Sequence, residues 1–129
     1  MAVQLNHTIV PTRDKQAEAR FVADVLGLPG PTSFGPFAVV ELANGVSLDF
    51  MDVAGDVPVL HYAFLIGEDE FDAVAGRLRD RGVPTWADPG HRRPGFNTND
   101  GGRGLYFDSP EGHNLEVLTV PYGGWPQAR

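Results

Sequence analysis

The chain has 129 residues, a formal net charge of −7 at pH 7 and no cysteine. This length fits one domain with a sizeable core. The acidic balance argues against nucleic acid and anionic membranes as partners, because phosphate binding needs a basic surface. No apolar run reaches the roughly 20 residues that span a bilayer, and the N-terminus lacks the pattern of a secretory signal. We therefore predict a cytoplasmic protein whose partner is a small molecule.

The first half of the chain predicts a strand, a helix and a hairpin, in that order. These elements cover 5–10, 12–26, 37–42 and 44–51. The first strand contains His7 and the last contains Asp49. Apolar residues recur at helical spacing in the second element, with Thr12 as the expected N-cap and Gly27 as the end. An Asn-Gly pair before the last strand indicates a hairpin turn.

The second half repeats the same order. Its predicted elements cover 60–66, 67–82, 104–109 and 114–120. The first strand contains His61, and the last contains Glu116 among apolar neighbours, where an unpaired buried charge would be costly. The main difference in length is the stretch 88–102, which is rich in proline and glycine and is predicted to be a loop.

The polar residues of the two halves coincide when the halves are aligned. Without gaps, "NGVSLDFM" aligns with "EGHNLEVL", which pairs Asp49 with Glu116, and each first strand has one histidine. Strand alternation places His7 on one face with Leu5 and Ile9, and His61 with Ala63 and Leu65. It places Asp49 and Glu116 on the face opposite the apolar residues Leu48, Phe50, Leu115 and Val117. We predict an α+β protein built from two related modules, with the polar set on one sheet face.

The stretch "GRGLYFDSPEGHNLEV" is similar to the closing hairpin of the vicinal oxygen chelate superfamily, which includes glyoxalase I, extradiol dioxygenases, fosfomycin-resistance enzymes and bleomycin-resistance proteins. The resemblance implies two βαβββ modules that form an open, cup-like mixed β-sheet. It implies a single domain over residues 1–129, with module 1 at about 5–54, module 2 at about 59–122 and a short tail at 123–129.

The resemblance also implies a divalent metal ion bound by His7, His61 and Glu116. Imidazole and carboxylate ligands suit Fe(II), Mn(II), Zn(II) or Ni(II), and three ligands leave positions open for water and substrate. Asp49 lies where several members have a fourth acid. It is interpreted as a fourth ligand, as a group that orients a ligand histidine, or as a polar residue lining the cup.

Three further residues are candidates for the substrate pocket. Tyr106 matches a tyrosine that lines the site in fosfomycin-resistance enzymes, although it could equally be a structural aromatic. Arg92 and Arg93 lie in the 88–102 stretch, which is interpreted either as a lid that brings cations over the metal or as a solvated surface loop. His113 alternates away from Glu116 and is predicted to be structural.

The function implied is that of a metal-dependent enzyme acting on a small oxygenated substrate. The subclass stays open between dioxygenase, glyoxalase or lyase, and thiol transferase, and no catalytic residue is assigned. Asp49 is shorter than the glutamate of glyoxalase I, and Ile9 replaces a threonine of the glutathione-using members. The alternative is a non-catalytic drug-binding protein of the bleomycin-resistance type. A homodimer is expected, since relatives pair modules between chains.

Overall fold

The structure is a computed structural model that describes residues 2–126. These residues form two compact units. Unit 1 comprises residues 2–58 together with 109–111, and unit 2 comprises 59–108 together with 112–126. No helix within residues 2–126 is both long enough and apolar enough to cross a bilayer.

Unit 1 contains a four-stranded mixed sheet and one helix. Its elements are β1 (His7–Thr12), α1 (Lys15–Leu26), β2 (Thr32–Phe34), β3 (Phe37–Glu41) and β4 (Ser47–Asp52). The strand order is β1-β4-β3-β2. Strands β1 and β4 are parallel, whereas the other neighbours are antiparallel. Leu48 and Phe50 of β4 are buried, and their side chains alternate with the more exposed Ser47 and Asp49.

The start of α1 differs from the prediction. Asp14, not Thr12, is the N-cap, and its Oδ1 accepts a hydrogen bond from the Ala17 N–H at 3.1 Å. Thr12 instead ends β1, where it is buried and donates to Asp52 Oδ1 at 3.0 Å. Both residue types are good caps, so composition alone does not choose between them. The predicted end at Gly27 is confirmed, since this glycine takes the left-handed conformation with φ 70°.

Unit 2 contains a three-stranded mixed sheet and one helix. Its elements are β5 (His61–Leu65), α2 (Glu68–Asp80), β6 (Gly104–Asp108) and β7 (Asn114–Leu118). The strand order is β5-β7-β6, with β5 and β7 parallel. Phe71, Val74 and Leu78 form the buried face of α2. The predicted α+β class with a repeated module is confirmed, and the predicted elements lie within three residues of the observed bounds.

The segment before β6 is not a loop throughout, because part of it pairs with β6 through backbone hydrogen bonds. Trp86 and Tyr106 exchange two backbone hydrogen bonds of 2.9 and 2.8 Å, and Asn97 and Gly104 exchange two of 2.8 and 3.1 Å. A turn of 3-10 helix follows at Asn99–Gly101. These bridges lie beside β6 as β2 lies beside β3 in unit 1. The loop assignment of 88–102 was therefore wrong in part, because backbone pairing leaves no side-chain periodicity in so short a segment.

Candidate functional site

Glu116 and His61 form a close pair on neighbouring strands of unit 2. Glu116 lies in β7 and is 1% exposed, and its Oε1 is 3.2 Å from His61 Nε2. The other ring nitrogen of His61, Nδ1, is 2.9 Å from the backbone oxygen of Asn114. Because a carbonyl oxygen can only accept, Nδ1 must be the protonated nitrogen of this ring. In the neutral imidazole, the lone pair on Nε2 therefore faces the carboxylate.

Two tyrosine hydroxyls complete the surroundings of Glu116. The Tyr122 hydroxyl donates to Glu116, with its oxygen 2.6 Å from Oε1 and 2.7 Å from Oε2, and it is 3.1 Å from the Tyr106 hydroxyl. Burial raises the pKa of Tyr122, and the hydrogen bond to Glu116 raises it further. Burial is also the main cause that raises the pKa of Tyr106. Both phenols are therefore protonated at neutral pH and can donate.

His7 and Asp49 lie together in unit 1. His7 is on β1, where its Nδ1 is 2.8 Å from Asn6 Oδ1, so Nε2 is again the nitrogen left for another partner. Asp49 is on the neighbouring β4, and its Oδ1 accepts a hydrogen bond from the Ser47 hydroxyl at 2.8 Å. These four residues line an open groove of about 550 Å³. The apolar part of its lining includes Pro29, Phe34, Phe37 and Val39.

The structure thus brings His61 together with Glu116 in unit 2, and His7 together with Asp49 in unit 1. Within residues 2–126, no three side chains of histidine, cysteine, aspartate or glutamate form a group that could hold a metal ion. The three-ligand set of His7, His61 and Glu116 therefore stays a prediction. Tyr106 lies beside the pair in unit 2, since it is paired with Glu116 across β6 and β7.

Arg92 and Arg93 are exposed residues of a segment held by one carboxylate. Asp88 Oδ1 accepts hydrogen bonds from the N–H groups of Arg92 and Arg93 at 2.9 and 2.8 Å. The hydrogen bond from the Arg93 N–H is the main cause that lowers the pKa of Asp88. Next to them, His91 has a positive φ of 56° and stacks on Trp86, with ring centroids 5.2 Å apart. Asp88 therefore holds the backbone of Arg92 and Arg93, and both residues are exposed.

Sequence reasoning assigned no role to Tyr122, Asn6 or Asn114 at the site. Tyr122 follows Pro121, beyond the end of β7, where strand alternation no longer determines which way a side chain points. The sequence indicated Asn6 and Asn114 only weakly. Asn6 directly precedes the candidate ligand His7, and Asn114 lies on the same strand face as the candidate ligand Glu116. The structural role of His113 is confirmed, since it is buried and its Nδ1 accepts from the Leu60 N–H at 3.0 Å.

The pair in unit 2 fits a divalent ion. Two ligand atoms at right angles, each about 2.1 Å from a shared ion, lie roughly 3.0 Å apart. The observed separation of Nε2 and Oε1 is 3.2 Å. The bond from Nδ1 to a backbone carbonyl is the contact that commonly fixes the tautomer and ring orientation of a ligand histidine. The distance between His61 Nε2 and Glu116 Oε1 is therefore compatible with both atoms binding one ion.

No family model matches the sequence. The solved structure of the oxidase ChaP-H1 is 63% identical, covers 95% of this chain and 100% of its own, and superposes with a TM-score of 0.93. The glutathione transferase FosA of Serratia marcescens is 28% identical over 123 residues, which are 91% of this chain and 81% of that protein.

A glyoxalase/dioxygenase structure from Nostoc punctiforme shares the fold at 22% identity, with a TM-score of 0.72 over 92% of this chain and 91% of its own. These similarities extend over nearly the whole chain and agree with its repeated module of strands and helix. The protein is accordingly a member of the vicinal oxygen chelate superfamily of enzymes.

Proposed function

We propose that the protein is an oxidase that acts on a small oxygenated substrate at a divalent metal ion bound by His7, His61 and Glu116. The proposal rests on membership of the superfamily, whose enzymes generally use divalent metals. It rests further on the similarity to the oxidase ChaP-H1 at 63% identity. The structural observation that carries it is the His61–Glu116 pair.

This pair calls for a cation. With Nδ1 donating to Asn114, the neutral ring presents a lone pair to a buried carboxylate oxygen 3.2 Å away. Two lone pairs at that distance repel unless a positive charge lies between them or the ring takes up a second proton. A divalent ion satisfies both atoms at once, and it also offsets the cost of burying the charge of Glu116.

His7 supplies the third ligand in this proposal. Its Nδ1 donates to the side-chain oxygen of Asn6, whereas Nδ1 of His61 donates to the backbone oxygen of Asn114, and each bond leaves Nε2 for the ion. In this proposal, His7 comes either from the same chain as His61 and Glu116 or from the second chain of a homodimer. Asp49, in the groove with His7, is proposed to bind or orient the substrate or to act as a fourth ligand.

The bound ion would polarise a substrate oxygen as a Lewis acid, and Fe(II) or Mn(II) would add redox chemistry. The chain itself binds and orients the substrate. The groove of unit 1 offers apolar walls and the acceptors Asp49 and Ser47, whereas Tyr106 offers its ring and a hydroxyl oxygen near Glu116. Arg92 and Arg93 are proposed to contact an anionic or carbonyl oxygen of the substrate.

A thiol transferase is the second candidate, because the glutathione transferase FosA is similar over 91% of this chain. FosA is 28% identical to this chain, compared with 63% for ChaP-H1, so it gives weaker support for the function. Ile9 of β1 also favours the oxidase over the thiol transferase. It is exposed, and it has no hydroxyl for a thiol substrate at the position where the glutathione-using members have a threonine. A binding protein without turnover is the third.

Metal binding is tested by calorimetric titration of metal-free protein with Fe(II), Mn(II), Zn(II) and Ni(II) under anaerobic conditions. We expect about one ion per chain, and Glu116→Gln should weaken binding on the order of a hundredfold or more, because it keeps the shape of the side chain but removes the charge. Asp56→Asn is the matched control, since Asp56 is fully exposed. Unchanged binding by Glu116→Gln would refute the ligand set.

The reaction is tested on metal-loaded protein with the substrate of the oxidase ChaP-H1. Uptake of dioxygen that disappears in Glu116→Gln supports the oxidase. A conjugate of glutathione with fosfomycin, formed without dioxygen uptake, would favour the thiol transferase instead. Binding of the ChaP-H1 substrate without any product would favour the binding protein.

A further inference from the structure

Tyr122 lies in a turn that follows β7 and is fixed to the rest of unit 2. The turn is closed by a hydrogen bond from the Gly124 N–H to the Pro121 oxygen at 2.8 Å. The Gly123 N–H donates to Asp100 Oδ2 at 3.1 Å, which ties the turn to the 3-10 helix before β6. The tyrosine ring is largely exposed, yet its hydroxyl reaches a carboxylate that is 1% exposed.

The Tyr122 hydroxyl is almost equidistant from the two oxygens of Glu116, at 2.6 and 2.7 Å. It therefore lies at the open edge of the carboxylate, where an ion coordinated by both oxygens would have to lie. Oε1 has a second direction available toward His61 Nε2. An ion between Oε1 and His61 can be bound without displacing the hydroxyl, but an ion on both oxygens cannot.

The hydroxyl is held in this place from its other side as well. Tyr122 has a single hydroxyl proton, and an ionised carboxylate can only accept, so this proton is directed to Glu116. The Tyr106 hydroxyl, 3.1 Å away, is then the donor to the Tyr122 oxygen. The result is a chain of donors from Tyr106 through Tyr122 to Glu116, which polarises and strengthens the last hydrogen bond.

We propose that Tyr122 is a positioning residue that restricts Glu116 to metal coordination through one oxygen. By occupying the open edge of the carboxylate, it keeps one coordination position free for substrate or water. This inference rests on the metal site proposed above and extends it to a residue whose hydroxyl contacts Glu116. A merely structural tyrosine would instead stabilise the buried carboxylate without affecting how the ion is coordinated.

The test counts water molecules on bound Mn(II) by water-proton relaxation, with Tyr122→Phe compared with the unsubstituted protein. Phenylalanine keeps the ring and removes the hydroxyl, so Glu116 can bind through both oxygens. With roughly six positions on the ion and three protein ligands, about three waters become about two, and the relaxation enhancement per bound Mn(II) should fall by about one third. Mn(II) affinity, measured by calorimetry, should be retained or increased.

One control variant isolates the hydroxyl of Tyr122. Trp125→Phe changes an exposed aromatic residue three positions further along the chain. It should keep the relaxation enhancement of the unsubstituted protein.

The enhancement staying unchanged in Tyr122→Phe, with Mn(II) still bound, would overturn the positioning role and leave the metal site intact. Weaker Mn(II) binding with an unchanged enhancement would assign Tyr122 a merely structural role, which also overturns the inference. Failure of the unsubstituted protein to bind any of the four metals would overturn both this inference and the proposed metal site.

Discussion

The buried carboxylate of Glu18 is satisfied by donors that are distant in sequence. Glu18 of α1 is 1% exposed, and its two oxygens accept from the Ser109 hydroxyl at 2.6 Å and from the Glu111 N–H at 3.2 Å. Nothing in the helical pattern of α1 marked this residue, because an acid in the first turn of a helix is ordinarily explained by the helix dipole. Its partners lie more than 90 residues away and are visible only in the folded chain.

We expect Ser109→Ala to destabilise the protein by about 1.5–3 kcal/mol, because it removes a donor from a buried charged acceptor. The free energy of unfolding is measured by urea denaturation. Ser33→Ala, at an exposed position of β2, is the matched control and should change the free energy by less than about 0.5 kcal/mol. Equal stabilities of the two variants would show that the Ser109–Glu18 bond contributes nothing net.

At the scale of elements, the sequence predicted helices and strands best where apolar residues recur at a regular spacing or where a glycine ends a helix. The stripe of Phe71, Val74 and Leu78 and the left-handed Gly27 were both read correctly. The three-residue β2 was missed as an element, because a strand this short and exposed on every residue shows no alternation. Tyr122 was missed for a related reason, since it lies beyond the last strand.

The cap of α1 can be tested directly. Asp14→Ala removes the side chain that accepts from the Ala17 N–H and should cost about 1 kcal/mol of unfolding free energy. Gln16→Ala, at an exposed position inside the same helix, is the control and should be neutral or slightly stabilising, since alanine favours helix. Thermal and urea denaturation of both variants give the comparison, and an undiminished stability of Asp14→Ala would contradict the cap.

The segment that contains Arg92 and Arg93 is an element whose role stays a prediction. If its guanidinium groups bind an anionic oxygen beside the metal, replacing both by alanine should weaken binding of inorganic phosphate to metal-loaded protein at least about tenfold. The control is the double replacement of the exposed Arg20 and Arg79, which removes the same charge elsewhere. Equal phosphate affinity in the two double variants would assign Arg92 and Arg93 to a solvated surface.

At the scale of the whole molecule, each sheet has an edge strand that carries a partly exposed apolar side chain. Strands β1 and β5 are sheet edges, with Ile9 at 43% and Leu65 at 52% exposure. Edge strands are the strands through which a sheet can pair with another chain. The homodimer predicted from the resemblance stays a prediction, as does the arrangement of residues 1–129 as a single domain.

We expect light scattering at micromolar concentration to give a mass of twice the chain mass of 14.0 kDa. Dilution over a hundredfold range distinguishes a tight dimer from concentration-dependent association, and raised salt tests whether the net charge of −7 opposes it. The mass of a single chain throughout the dilution series would contradict the dimer.

Unit 1 is not continuous in sequence, because it includes the short stretch Ser109–Glu111 from the far half of the chain. Glu111 accepts hydrogen bonds from the N–H groups of Arg13 and Asp14 at 2.7 and 3.0 Å, while Glu18 accepts from Ser109 and Glu111. A fragment ending at residue 58 would therefore lack both of these donors to Glu18. We expect a chain cut after residue 58 to form the hydrogen bonds of Glu18 and Glu111 only when both fragments are mixed.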